Sequence, residues 1–219
     1  MRMKERIGSL YRLQLIKFLK LSAFDGPILD IGCHDDLILS NIEAPLKIGV
    51  DLELKKQLGN KYLFVCADAN FLPFKQGVFK QVFLLDVIEH IENANLLPSS
   101  IKHVLMLDGC LFLTTPQKTI LLNPFFLTKY ISRKWGHIYR LGYTQNELEI
   151  LFSKYFSLEY KDWNAPCWRF FYLLIRFVAE FSPSITRFII ETVFRFDSKK
   201  SRGLNGYILM HGKSKETNE

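Results

Sequence analysis

The run Ile28-Leu29-Asp30-Ile31-Gly32-Cys33-His34-Asp35-Asp36 constrains this chain more than any other stretch. Four residues of strand character lead into a turn at Gly32, and a short helical pattern from Leu37 to Ile42 follows and stops before Pro45. A strand, a tight turn and a helix in that order aim backbone N–H groups and a helix dipole at whatever lies across the strand's carboxyl end. About twenty residues beyond Asp30, Leu46-Lys47-Ile48-Gly49-Val50-Asp51 reads as a second strand that ends in a carboxylate, a group suited to a ribose diol.

Further along, Ala67-Asp68-Ala69 closes a third strand over 62–68, and Leu85-Asp86-Val87-Ile88-Glu89-His90 closes a fourth over 78–86. These two segments, with Asp30-Ile31-Gly32-Cys33 and Gly49-Val50-Asp51, stand in the order and spacing of the class I S-adenosylmethionine-dependent methyltransferases. Together they resemble most the small-molecule branch that includes the quinone-biosynthesis O-methyltransferases, the type 11 methyltransferase domain, over residues 26–160. The resemblance implies a Rossmann-like α/β fold: a mostly parallel seven-stranded sheet with helices on both faces, its last two strands an antiparallel pair. It also implies S-adenosyl-L-methionine as cofactor. Asp30, Gly32, Cys33 and His34 would form the first loop, Asp51 and Leu52 meet the ribose, Asp68 and Ala69 the adenine, and Asp86 and Val87 lie beside the methyl group. The family writes its first loop Asp-x-Gly-x-Gly-x-Gly; here His34 and Asp36 stand at the second and third glycines, which narrows the pocket.

A length of 219 residues with 48% hydrophobic content suits one domain over 1–219. Leu10, Leu13, Leu15, Ile16, Phe18 and Leu19 give the start (1–24) a helical period that leaves Arg12, Lys17 and Lys20 for a polar face. The same charges interrupt any signal peptide, so the expected location is the cytoplasm, with the inner face of the membrane as a peripheral alternative. Cys33, Cys66, Cys110 and Cys167 form no C-x-x-C pair, which argues against a zinc knuckle or a disulfide framework and for small core residues. A crossover helix is expected over 95–107 and a fifth strand over 109–116. Residues 117–142 mix aromatic and basic side chains without a clean period and read as a substrate or lid segment. Thr144-Gln145-Asn146-Glu147 is a capping box that opens a helix to Tyr155, followed by strands over 156–163 and 207–212.

Methyl transfer from a sulfonium is an in-line displacement, so the protein has to align the partners and remove a proton where the acceptor is a hydroxyl. His90 and His137 are the imidazoles available for that proton, with Asp86 next to the transferred methyl. The bland readings are that His90 caps the turn after the fourth strand and His137 is solvated. Asp86, Glu89 and His90 also have the i, i+3, i+4 spacing of a metal site, which His137 would have to complete. Asp35-Asp36 reads as helix capping rather than a catalytic pair. Three functions remain open: a methyltransferase for a small-molecule or lipid-linked acceptor, favoured by the Asp-Val-Ile-Glu-His run; an RNA ribose methyltransferase; and a cofactor-binding protein without catalysis. A base-methylating enzyme is disfavoured, because the fourth strand is not followed by an Asn/Asp-Pro-Pro-aromatic run.

The segment 165–202 lies outside the resemblance. Its first half sets Phe170, Phe171, Leu173, Leu174, Phe177, Val178 and Phe181 against Arg169, Arg176 and Glu180. Ser182-Pro183 then restarts a helix in which Ile185, Phe188, Ile189, Val193 and Phe196 face away from Arg187, Glu191 and Arg195. This predicts a helical hairpin that packs on the sheet, forms a homodimer, or rests on a membrane surface with Lys199, Lys200 and Arg202 at its rim. The formal charge of +7 suits an anionic partner, nucleic acid or membrane.

Overall fold

The computed structural model describes residues 6–34, 37–53, 62–199 and 206–215. In chain order these form α1 (Ile7–Phe18), β1 (Ile28–Ile31), α2 (Leu37–Ser40), β2 (Lys47–Asp51), β3 (Leu63–Cys66), β4 (Phe79–Leu85), α3 (Leu97–Val104) and β5 (Leu105–Pro116). Then come α4 (Thr128–Lys134), α5 (Gln145–Phe152), β6 (Phe156–Trp163), α6 (Pro166–Val178), α7 (Pro183–Lys199) and β7 (Tyr207–Ser214). One seven-stranded sheet runs β3-β2-β1-β4-β5-β7-β6, parallel except that β7 pairs antiparallel with both β5 and β6. This is the expected architecture.

Strand alternation divides the core in two. On β4, Phe83 packs on one side of the sheet with residues of α1, α6 and α7, while Val82 and Leu84 pack on the other with α3 and α5. Each such side chain contributes roughly 1.5–3 kcal/mol by leaving water. Because both faces are covered, β1 is buried at all four positions, Asp30 included. The edge strand β3 is half open, and this corrects the reading of the cysteines: Cys33 is buried, but Cys66 on β3 is exposed, and no disulfide joins any of the four.

Several boundaries shift for local reasons. The crossover helix ends at Val104, and β5 begins at Leu105 instead of Gly109. Its register with β4 jumps from Leu105 opposite Phe79 to Cys110 opposite Gln81, a bulge that periodicity does not announce. The segment 117–142 contains a 3-10 turn, Phe125–Leu127, and α4. The capping box forms as read: Glu147 N–H donates to Thr144 Oγ1 at 3.2 Å, and Thr144 N–H to Glu147 Oε2 at 2.8 Å.

The hairpin of α6 and α7 is present, turned differently from the simplest reading of its stripe. The side of α6 that meets the core carries Trp168, Tyr172 and Ile175, and that of α7 carries Thr186, Ile190, Val193, Phe194 and Asp197. Tyr11 of α1 stacks on Trp168 with ring centroids 4.5 Å apart and donates its hydroxyl to Asp197 Oδ2 at 2.7 Å. The expected polar face of α1 also needs correction at Arg12, which is buried. Leu15 and Ile16, three and four residues on, are apolar, the sequence's one sign that Arg12 lies on an inward stripe.

Candidate functional site

β1 has β2 on one side and β4 on the other, so the chain's crossovers diverge there and leave a crevice at the strands' carboxyl ends. The crevice opens into a cavity of about 610 Å³ that also takes in the start of α1 and one side of α6. Asp30, Gly32, Cys33, His34, Asp51, Leu52, Asp68, Ala69, Asp86 and Val87 all line it, and so do His90 and His137. Asp35 and Asp36 lie outside the described residues.

Gly32 leaves β1 with φ +70°, and a Cβ there would stand 2.3 Å from Val87 Cγ2. Only glycine fits. Cys33 N–H and Gly32 N–H both donate to Val50 carbonyl, at 3.1 and 2.7 Å, which folds the loop back over β2. His34, at a position where the resemblance expects glycine, keeps glycine's backbone: its φ is +40° and its side chain is exposed. Its N–H donates to Asp51 Oδ2 at 2.8 Å, orienting that carboxylate at the end of β2. Asp68 accepts from Asn70 N–H at 2.8 Å through Oδ1 and caps the 3-10 turn Ala69–Phe71.

Asp86 follows β4 directly with φ +54°, a conformation that Asp tolerates better than most residues. Thr114 Oγ1 donates to its Oδ1 at 2.7 Å, and the Arg12 guanidinium pairs with its Oδ2. Arg12 also lies over the Tyr207 ring, 4.5 Å from its centroid. With both oxygens occupied, Asp86 is a fixed charge in the cavity wall.

Behind it lies a buried cluster. Glu89, in the 3-10 turn Ile88–His90, is fully enclosed; Thr115 Oγ1 donates to its Oε2 at 3.0 Å, and its Oε1 is 3.7 Å from His137 Nε2. Burial raises the Glu89 carboxyl to about 7. Burial, and then the neighbouring His90, push His137 down to about 4. His137 is therefore neither solvated nor charged at neutral pH. His90 Nδ1 lies 3.1 Å from the Gly136 carbonyl, which can only accept, so Nδ1 carries the proton and Nε2 keeps its lone pair. Burial lowers the His90 pKa as well. One ligand atom each of Glu89, His90 and His137 lies within 4.8 Å of the others, so among the described residues this trio, drawn from the turn after β4 and the 117–142 segment, is the set that could hold a divalent ion. The sequence spacing pointed to Asp86 in that set, but Arg12 and Thr114 engage it.

The opposite wall draws partly on the expected substrate segment; the contributions of α6 and β7 were not foreseen. Lys134 and Trp135 at the end of α4, Trp168, Tyr172 and Arg176 of α6, and Tyr207 of β7 complete the lining. Trp135 Nε1 donates to the Tyr172 hydroxyl, and Arg176 Nη1 reaches the same oxygen at 3.3 Å. Trp168 and Tyr172 flank the conspicuous pair Phe170-Phe171, which hides their i, i+4 relation in the sequence.

No protein-family model matches the sequence, and no curated protein matches it. Solved structures do. Haemonchus contortus phosphoethanolamine N-methyltransferase 2, in complex with phosphomonomethylethanolamine and S-adenosylhomocysteine, aligns with a TM-score of 0.59 at 20% identity, over 93% of this chain and 52% of its own. The YcgJ protein of Bacillus subtilis gives 0.57 at 17%, over 94% and 98%. A SAM-dependent methyltransferase of Thermotoga maritima gives 0.60 at 14%, over 95% and 93%. The chain thus spans about half the length of the Haemonchus enzyme and nearly all of the other two. At these identities the likeness is one of fold, and the fold is that of the class I methyltransferases.

Proposed function

We propose that this protein is an S-adenosylmethionine-dependent methyltransferase of the small-molecule branch its motifs resemble, acting at oxygen on a small-molecule or lipid-linked acceptor. The supporting observation is a single cavity that joins the carboxylates at the ends of β1, β2 and β3 to the aromatic and cationic wall of α4 and α6. Its residues fit the cofactor. Gly32 leaves backbone room that any Cβ would fill, and the His34 amide presents the Asp51 carboxylate at the position of a ribose acceptor. Asp51 would hold the ribose diol, and Asp68 with Ala69 the adenine. Bound there, the cofactor would supply a methyl group on a sulfonium, open to displacement by the acceptor.

The remaining work is done by the chain's own side chains. Arg12 and Thr114 hold Asp86 rigid, which makes it a positioning group. His90, neutral and fixed in one tautomer by Gly136, takes the acceptor's proton at Nε2. Trp135 and Tyr172 offer apolar faces to the acceptor and exclude water.

Calorimetry tests the cofactor site. A carboxylate that accepts from a ribose diol contributes roughly 1.5–3 kcal/mol, so Asp51→Ala should weaken S-adenosylmethionine or S-adenosylhomocysteine about ten- to a hundredfold. Absence of heat from both compounds with the unaltered protein would overturn the reading. Radiolabelled methyl transfer into a fractionated cell extract then tests the acceptor: label in the lipid or small-metabolite fraction is expected. Label in RNA would favour the ribose methyltransferase, and cofactor binding without label in any fraction would favour a non-catalytic protein.

A further inference from the structure

A helix that only covers a sheet has a polar outer side. α6 and α7 do not. Opposite the buried side of α6, Phe170, Leu174, Phe177 and Phe181 recur at spacings of four, three and four, and Phe177 and Phe181 are 63% and 72% exposed. On α7, Ile185, Phe188 and Phe196 are exposed too, Phe188 to 70%. The segment before α4 adds Phe125 and Phe126, each 71% exposed. It is tied to α6 through Arg169, whose Nη1 donates to the Leu121 carbonyl at 2.8 Å and whose own carbonyl accepts from Asn123 N–H at 3.1 Å. An apolar surface of this extent marks an interaction face.

Charge identifies the occupant. Residues 117–142 carry five basic side chains and no acidic one, for a net +5, and residues 166–199 carry a net +2. These two segments hold the whole of the chain's +7, and the rest is neutral. Lys129, Arg133 and Lys134 on α4, and Arg187, Arg195 and Lys199 on α7, are exposed, and none has a carboxylate partner among the described residues. A second copy of this chain would bring the same positive charge against it. An anionic bilayer brings the complement, and it accepts aromatic side chains at its interface. Among the described residues no helix is long and apolar enough to cross a membrane, so the helices would lie on it.

We propose that the outer face of the α6–α7 hairpin, with the Phe125–Lys134 segment, docks this protein on an anionic lipid bilayer. Lys134, Tyr172 and Arg176 belong both to these elements and to the cavity wall, so docking sets the cavity beside the lipid surface. The proposal stands on surface chemistry alone and is independent of what the cavity binds.

Flotation with vesicles tests it. The protein should float with vesicles of phosphatidylcholine and phosphatidylglycerol, stay behind with phosphatidylcholine alone, and be released by salt. Each basic residue near an anionic surface multiplies binding about fivefold, so Lys129→Gln, Arg133→Gln and Lys134→Gln together should weaken it about a hundredfold. Phe170→Glu with Phe177→Glu should abolish it; both side chains are exposed, and an unchanged melting temperature would show that the fold survives. Absence of flotation with anionic vesicles, or flotation indifferent to both sets of changes, would overturn the proposal. So would a dimer in sedimentation velocity that fails to float and that the phenylalanine changes dissociate, which would give the face to a second copy of the chain.

Discussion

His34 carries a side chain at φ +40°, where an L-residue costs about 1 kcal/mol, and the N–H that it donates to Asp51 is one that glycine would keep. His34→Gly should therefore raise the melting temperature by about 2–4 °C and leave cofactor affinity equal or tighter. Weaker affinity with an unchanged melting temperature would show that the imidazole has a role of its own. Glu89 and His137 make a second prediction. Glu89 is raised from 4.5 to about 7, so its contribution to stability is full below 4.5 and is lost as pH rises to 7. His137 is lowered from 6.5 to about 4, so its contribution is full above 6.5 and is lost as pH falls to 4. In the unaltered protein these slopes oppose. Glu89→Gln should leave a variant that gains stability from pH 4 to 6.5, and His137→Asn one that loses it from pH 4.5 to 7, each by up to about 3 kcal/mol. Urea denaturation across that range checks the signs, and parallel slopes in the two variants would refute the assignment. The acids at strand ends were legible because strand, turn and carboxylate fall within a few residues. Arg12 on Asp86 was not, because a pair so distant in sequence meets only through the sheet; His137 beside Glu89 was raised only as the completion of a metal site.

At the scale of elements, the joint between α6 and α7 depends on one carboxylate. α6 starts after Ala165, which offers no side-chain cap. Asp197 of α7 serves instead, with Oδ1 accepting from Cys167 N–H at 2.8 Å and Oδ2 from Trp168 N–H at 3.0 Å. The Tyr11 hydroxyl shares Oδ2, so three elements meet on this side chain. Asp197→Ala strands those donors and should cost about 3 kcal/mol, lowering the melting temperature by roughly 6–12 °C. Asp197→Asn keeps one acceptor and should recover about half of the loss; a loss below 2 °C for the alanine variant would show that water replaces the carboxylate. The hairpin itself was readable from its period and from Ser182-Pro183. Its orientation was not, because both sides of α6 are apolar and a period alone does not say which side the sheet takes.

Across the whole molecule, the cavity is framed by the carboxyl ends of β1 to β5, the first turns of α1 and the inner side of α6, so a ligand there bridges parts of the chain far apart in sequence. S-adenosylhomocysteine at a hundred times its dissociation constant should add about 2.7 kcal/mol, a rise of roughly 5–10 °C in thermal melts. Asp51→Ala at the same concentration should lose most of that rise, and an unmoved transition in the unaltered protein would argue against the site. The sheet order has a different consequence. β7 lies between β5 and β6, yet it is the last strand of the sheet to be synthesised. Until it leaves the ribosome, β5 has a bare edge, β6 has no neighbour, and the apolar sides of α6 and α7 have no completed sheet to cover. Translation thus delivers every sticky element of this half before the strand that closes it, so the nascent chain is most vulnerable to aggregation until β7 emerges.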